Sequence, residues 1–135
     1  MSYTKNTYAE IALSELPLVV VVVVGSVNDE SFPAYLEELL EAIQSRERVV
    51  IRMHAGPLTV FPPRFVQMSV AWMKVNKEIL NSHVVAVSIV MKHSALRMAT
   101  QAMVWAGTPP FPIVAASDTA EADIFLQAQL AGDKG

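Results

Sequence analysis

Six consecutive valines, preceded by Leu18 and followed by Gly25, constrain the fold more than any other feature of this chain. Valine is β-branched, so it loses rotamer freedom in a helix and fits a pleated sheet, which predicts a strand over residues 18–25. Successive strand side chains point to opposite faces, so valines lie on both faces of this strand and we expect both faces to be covered. The run is too short to span a bilayer, which needs about 20 helical residues.

The rest of the chain alternates between strand-like and helix-like patterns. Predicted strands cover residues 8–13, 18–25, 49–53, 84–91 and 111–115, and predicted helices cover residues 31–43, 64–80, 94–105 and 118–130. This order predicts a single layered α/β domain with a mixed, mostly parallel sheet of four to five strands and four helices. We expect one domain over residues 1–135, with an ordered core at 8–130 and flexible ends at 1–7 and 131–135.

Composition excludes several classes of function. A net charge of −3 without any cluster of lysine or arginine argues against nucleic-acid binding. The chain has no cysteine, which rules out disulfides, thiolate metal sites and cysteine nucleophiles and favours a cytoplasmic location. Gly25 stands alone, without a glycine-rich phosphate loop, so we expect no nucleotide cofactor.

Histidines supply the only pattern that resembles a catalytic site. His54 and His93 follow neighbouring predicted strands and, with Ser94 or Asp29, would form an acid–base pair if they faced each other. The alternative is that both are ordinary residues at strand ends. Because no histidine pair has metal-ligand spacing, we expect neither a metal site nor an enzyme.

The capping and amphipathic signals of the shorter helices lead to three expectations. Ser31 is a candidate N-cap for the first helix, and Asp118 with Glu121 has the spacing of a capping box for the last. The helix that begins at Ser94 should turn its apolar side chains inward and its polar ones outward. The expected inward residues are Leu96, Met98, Ala102, Met103 and Trp105, and the expected outward residues are Arg97 and Gln101.

The longest predicted helix, at residues 64–80, carries more apolar surface than one packing face requires. Its main stripe includes Phe65 and Trp72, and a second line follows at the same spacing, rotated by about a third of a turn. Either a second layer of the same chain covers this second line, or it is an exposed interface. The second line consists of Val66, Val70, Met73 and Leu80.

The loop before this helix, from Gly56 to Arg64, is unusually apolar and rich in proline. It is either a rigid contact surface or a plug at the end of the core, and the helix N-terminus beside Arg64 would favour an anion. Together, the loop and the second line form the predicted binding surface. Its residues are Gly56, Leu58, Thr59, Phe61, Arg64, Val66, Val70 and Met73.

The order of elements resembles that of STAS domains, the anti-sigma-factor antagonist-like fold, and more closely bacterial STAS/Sec14-like proteins. The resemblance spans residues 8–130 and is carried by residues 18–29, 48–53 and 84–95. It implies a binding or regulatory module, whose best-known members are phosphorylated on a serine at the start of the long helix. Here residues 58–63 replace those serine positions with apolar residues and prolines, leaving only Thr59 close by.

Two functional hypotheses follow. The first is a non-enzymatic protein-interaction module that self-associates, most simply as a homodimer, and has no usual phosphorylatable serine. The second is a carrier of a small apolar or lipid-like ligand, held between the long helix and the sheet near Phe61, Phe65 and Trp72.

Overall fold

The valine run forms the second strand of a five-stranded sheet. The computed structural model describes residues 8–25, 27–55, 63–107 and 109–133. The strands are β1 (Ala9–Glu15), β2 (Leu18–Val23), β3 (Val49–His54), β4 (Val84–Val90) and β5 (Ile113–Ala116). They are arranged in sequence order; β1 pairs antiparallel with β2, and the other neighbours pair parallel. The predicted α/β class and mostly parallel mixed sheet are confirmed.

Five helices accompany the sheet in the part of the chain that the structure describes, one more than predicted. They are α1 (Ser31–Ile43), α2 (Pro63–Val75), α3 (Lys77–His83), α4 (Ser94–Gly107) and α5 (Thr119–Gly132). The predicted long helix is two helices, divided at Asn76, whose backbone departs from helical geometry at φ −103° and ψ 18°. The Asn76 side chain donates to the carbonyl of Trp72, which also accepts from the amide of Asn76.

The largest core lies on one face of the sheet, called here the front face. Alternate valines of β2 pack there with α1, α2 and α3, as expected when successive crossovers have the same hand. Tyr8, Phe32, Tyr35 and Phe65 form an aromatic cluster at one end, with ring centroids 5.1 to 5.7 Å apart. Burial raises the pKa of the Tyr8 hydroxyl to about 12. The rest of the front core comes from apolar residues of α1, α3, β3 and β4.

Two predicted caps have different outcomes. Asp118 caps α5 by accepting a 2.8 Å hydrogen bond from the amide of Glu121, as predicted. Ser31, in contrast, is the first residue of α1 and does not cap it. Glu30 is at the N-cap position, and the Asn28 side chain accepts from the amides of Glu30 and Ser31. At the other end of the chain, α5 continues past the predicted limit at residue 130, and Arg48 binds Asp133.

Candidate functional site: the back face of the sheet and α4

The face of the sheet opposite the front core, called here the back face, is defined by strand register. Partners in adjacent strands point to the same face, so each row of partners crosses all five strands side by side. The first row is Ala12, Val20, Arg52, Ser88 and Val114, and the second row is Glu10, Val22, His54, Val90 and Ala116.

Within the described residues, α5 covers the back face over β3–β5, and the cover thins toward the carboxyl end of β2. In α5, Ala122 and Leu126 are buried, and they pack in clusters with Val50, Val90 and Ala116 on the β3–β5 side. On β2, Val22 remains 36% exposed, and Val24, just beyond the strand, is 56% exposed. The expectation that both faces of the valine strand are covered is therefore wrong at its carboxyl end. A helix about 10 Å wide cannot cover five strands spaced about 4.8 Å apart.

Arg52 lies on the back face of β3, beside α5. Its Nη1 donates a 2.6 Å bond to Oδ1 of Asp123 on α5, and its Nε donates a 2.9 Å bond to Nε2 of His54. The arginine side chain is 13% exposed, so the ion pair is largely screened from water on that side. This pair fastens the start of α5 to β3, and the Arg48–Asp133 pair, 2.8 Å apart, fastens its end.

His54 is held in its neutral form. Because Nε2 accepts from Arg52, that nitrogen carries no proton, and the ring proton is on Nδ1. Burial lowers the pKa of His54, the positive charge of Arg52 lowers it further, and the carboxylate of Asp123 partly opposes them. The His54 imidazole therefore serves as an acceptor for the arginine.

Ser88 is the buried neighbour of Arg52 on β4. It is completely buried, and within the described residues its Oγ has no hydrogen-bond partner. A buried hydroxyl without a partner is costly, which makes Ser88 a point of low local stability under α5.

The structure does not support a pairing of His54 with His93, one of the two readings that the sequence left open. His54 bonds to Arg52, whereas His93 is exposed between β4 and α4. Asp29 pairs with Arg64 at 3.2 Å, and both side chains are well exposed. Sequence reasoning missed Arg52 and Asp123, although an arginine inside the apolar strand Val49–His54 was a signal that a polar group sits beneath a neighbouring element.

The predicted binding surface is only partly within the described residues. Gly56, Leu58, Thr59 and Phe61 lie outside them. Val66, Val70 and Met73 are half-buried on α2, and Met73 packs against the front core.

A second candidate surface is the outer side of α4, where the expected orientation is largely reversed. Met98, Ala102 and Met103 are exposed, whereas Arg97 and Gln101 are half-buried. Leu96 is half-buried, and the side chain of Trp105 lies outside the described residues.

The Gln101 side chain accepts a 3.0 Å bond from the amide of Ala115 and donates a 3.3 Å bond to the carbonyl of Ile113. Arg97 donates to the carbonyls of Met91 and Lys92. These bonds turn the polar side of α4 toward the protein, so Met98 is 75% exposed and Met103 is 45% exposed.

The outer side of α4 is continuous and uncharged. Apart from Ser94 at the start of the helix, the exposed side chains described over residues 94–104 follow helical spacing, and three of these five are alanines. We call this set the α4 face. It consists of Ala95, Met98, Ala99, Ala102 and Met103.

Beside α4 lies an open groove of about 580 Å³, formed with the segment that precedes and enters β5. Its lining is mostly apolar. The lining residues are Gln101, Val104, Pro109, Pro110, Phe111, Pro112, Ile113 and Val114.

Two further properties concern the described ranges as a whole. No three of their His, Asp and Glu side chains are grouped so as to hold a metal ion. Of the helices within these ranges, none has both the length and the apolar character needed to cross a membrane.

Comparison with known proteins does not assign the chain to a family. The chain matches no protein-family model, no curated protein and no solved structure.

Proposed function

We propose that the protein is a non-enzymatic interaction module that self-associates as a homodimer through the α4 face. The observation that carries the proposal is the reversed α4, whose apolar side faces solvent while Arg97 and Gln101 are turned inward. A helix of a globular domain normally buries its apolar stripe, and an uncovered stripe marks a contact surface.

A second copy of the chain is the occupant that best fits the α4 face. The face has no charge, so it offers nothing to a charged partner, and a two-fold contact requires only that the face match itself. Alanines allow two helices to approach closely, and methionines adapt to an irregular neighbour. Since a helix of 14 residues is only about 21 Å long, the contact is smaller than the roughly 800 Å² per partner of a standard interface, and we expect a weak dimer.

The non-enzymatic part of the proposal is supported by how the polar side chains are used. Arg52 is bound to both Asp123 and His54, and His54 uses Nε2 to accept from Arg52. The regulatory part rests on the resemblance to STAS domains, with Thr59 as the residue nearest the usual phosphorylated position. The absence of cysteine supports placing the module in the cytoplasm.

Sedimentation velocity over a concentration series tests the proposal. Ala99→Glu places a charge in the centre of the α4 face and should shift the protein to monomer with an unchanged circular dichroism spectrum. Ala128→Glu is the matched control, because Ala128 is also an exposed alanine of a long helix, α5, and should leave the dimer intact. Loss of the dimer in both variants, or in neither, contradicts the α4 contact.

The same experiment examines the surface predicted on α2. Val70 is half-buried beside Val66, so Val70→Glu should lower the thermal midpoint if the line is core. If Val70→Glu instead yields a stable monomer while Ala99→Glu remains dimeric, the contact lies on α2.

A carrier of a small apolar ligand is the second candidate, favoured by the groove beside α4. Between α2 and the sheet, where the sequence suggested such a ligand, Phe65 is fully buried and Trp72 packs against the same core, whereas the groove beside Phe111 is open. Native mass spectrometry distinguishes the candidates. A stoichiometric adduct supports a carrier, and a dimer without adduct supports the module.

A further inference from the structure

Helix α5 packs on the back face over β3–β5 and buries little of its own surface there. Only Ala122 and Leu126 are buried among its 14 residues, whereas α1 buries seven of its 13. The two buried residues belong to small clusters that are separate from the front core, and Phe125 and Leu130 are half-buried against one of them. An element with few buried apolar contacts opens at a lower free energy than the rest of a fold.

Two arginines from one stretch of chain hold α5 near its two ends. Arg52 on β3 donates its 2.6 Å bond to Asp123 near the start of the helix. Arg48, directly before β3, donates bonds of 3.0 and 2.8 Å to the two carboxylate oxygens of Asp133, directly after the helix. The attachment of α5 therefore includes paired charges at both ends, and such pairs respond to changes in protonation.

The ion pair near the start of α5 shares its arginine with a titratable group. The bond from Nε of Arg52 to Nε2 of His54 exists only while that nitrogen carries no proton. Protonation of His54 removes this acceptor and places a second positive charge against the guanidinium group. The charged side chains that act on His54 are Arg52 on its own strand and Asp123 on α5.

The strands beside His54 add no charge in direct contact with it. Its row partners are Val22 on β2 and Val90 on β4, and Glu10 of the same row is two strands away on β1. Ala122 of α5 packs in one cluster with Val90. Release of α5 therefore admits water beside the imidazole as well as removing Asp123.

These two consequences of release have opposite effects on His54, and the effect of water is the larger. Burial is the main cause that lowers the pKa of His54, whereas Asp123 raises it least. The pKa of His54 is therefore higher when α5 is released than when α5 is bound, and a proton favours the released form.

One polar group beneath α5 also gains from release. Ser88 lies between Arg52 and Val114 in the first row, and its buried Oγ has no partner within the described residues. Water that enters under α5 supplies the hydrogen bond that this hydroxyl lacks in the closed form.

We propose that α5 is a releasable cover of the back face, which opens as a unit over an intact front core and opens more readily when His54 is protonated. Release exposes the apolar residues that contact Leu126 in the closed form, among them Val50, Val85 and Ala86. The device lies on β3 and α5 and not on the α4 face, so it does not depend on the homodimer.

Hydrogen–deuterium exchange of the native protein, read by mass spectrometry, tests the release. Peptides from α5 (residues 119–132) are compared with peptides from α1 (residues 31–43), and each rate is corrected for the intrinsic exchange rate at the same pH. At pH 7.5 the opening that exposes α5 should be at least about tenfold more populated than the one that exposes α1. From pH 7.5 to pH 5.5 the α5 opening should rise by about twofold or more beyond any change in α1.

Two substitutions separate the roles of the imidazole and the carboxylate. His54→Gln retains an acceptor for Arg52 but does not titrate, so the rise between the two pH values should disappear. Asp123→Asn removes the ion pair and should increase the α5 opening at both pH values. Glu41→Gln is its matched control, because it removes one negative charge from an exposed position of α1 and should leave α5 unchanged.

Three results would overturn the proposal. Equal openings of α5 and α1 in the wild type would show that α5 opens only with the whole fold, and this comparison requires no variant. A rise at pH 5.5 that persists in His54→Gln would assign the pH dependence to other groups. Equal exchange of α5 in Asp123→Asn and Glu41→Gln would show that the ion pair does not hold the helix.

Discussion

Arg52 joins two elements of the back face, β3 and α5, through one guanidinium group. It lies on β3, binds Asp123 of α5, and donates to His54 at the end of its own strand. A buried arginine is costly unless its donors are paired, so α5, Arg52 and the neutral imidazole are coupled. Protonation of His54 is therefore unfavourable in the folded protein.

The free energy of unfolding should depend on the state of His54. Its folded pKa is lowered below the ordinary value of 6.5, so the unfolded chain binds the proton more readily. Stability from this residue is fully present above about pH 6.5 and is lost as the pH falls from that value toward the folded pKa. Urea denaturation at pH 7.5 and at pH 5.5 should show a decrease at the lower pH.

His54→Gln provides the control for this pH dependence. Glutamine accepts from Arg52 through its side-chain oxygen but does not titrate, so the decrease between the two pH values should be smaller than in the wild type. An equal decrease in both proteins would assign the pH dependence to other groups.

Ser88 and Ser31 form a matched pair for testing the cost of an unpaired hydroxyl. Both are completely buried, but Oγ of Ser31 accepts from the amide of Asn28, whereas Oγ of Ser88 has no partner within the described residues. Ser88→Ala should raise the free energy of unfolding by about 1 kcal/mol, and Ser31→Ala should lower it by about 1 kcal/mol. Chemical denaturation measures both, and destabilisation by Ser88→Ala would show that this hydroxyl is paired.

At the scale of elements, α4 protects the sheet as well as exposing an apolar face. The carboxamide of Gln101 bonds to the outward amide of Ala115 and the outward carbonyl of Ile113, as a neighbouring strand would. It thus satisfies part of the free edge of β5, which would otherwise be open to pairing with another chain.

Gln101→Ala should therefore destabilise the protein even though alanine is the better helix former. Loss of two hydrogen bonds to the strand edge should lower the free energy of unfolding by about 1 to 2 kcal/mol. Gln127→Ala, at an exposed position of α5, should change it by no more than about 0.5 kcal/mol. Equal effects of the two substitutions in urea denaturation would contradict the role of Gln101.

At the scale of the whole molecule, the strands of the sheet could be predicted from the sequence. The rotation of α4 and the position of α5 across the strands could not. Strands β2 and β4 are apolar runs, and β3 begins with one, so local composition was sufficient to locate them. The rotation of α4, in contrast, depends on the hydrogen bonds of Gln101 to β5. The apolar periodicity of the helix does not reveal such a contact. The cover of the back face likewise depends on where α5 lies across the strands.

The candidate site was less predictable than the fold for the same reason. Arg52 and Asp123 are 71 residues apart in the chain, and only the tertiary fold brings them together. His54 was identified from its position after a strand, but its true partners were not. The division of the predicted long helix rests on the backbone conformation of Asn76 alone, which helical periodicity does not reveal.

Cross-linking through a single introduced cysteine tests the central claim, self-association through the α4 face, most directly. The chain has no cysteine, so Ala99→Cys and Ala102→Cys each create one reactive site, and a two-fold contact brings the residue nearest the axis close to its own copy. Mild oxidation should give a disulfide-linked dimer for at least one of them and almost none for Ala128→Cys on α5. Equal yields at all three positions, or no cross-link at residues 99 and 102 in a protein that sediments as a dimer, would contradict the α4 contact.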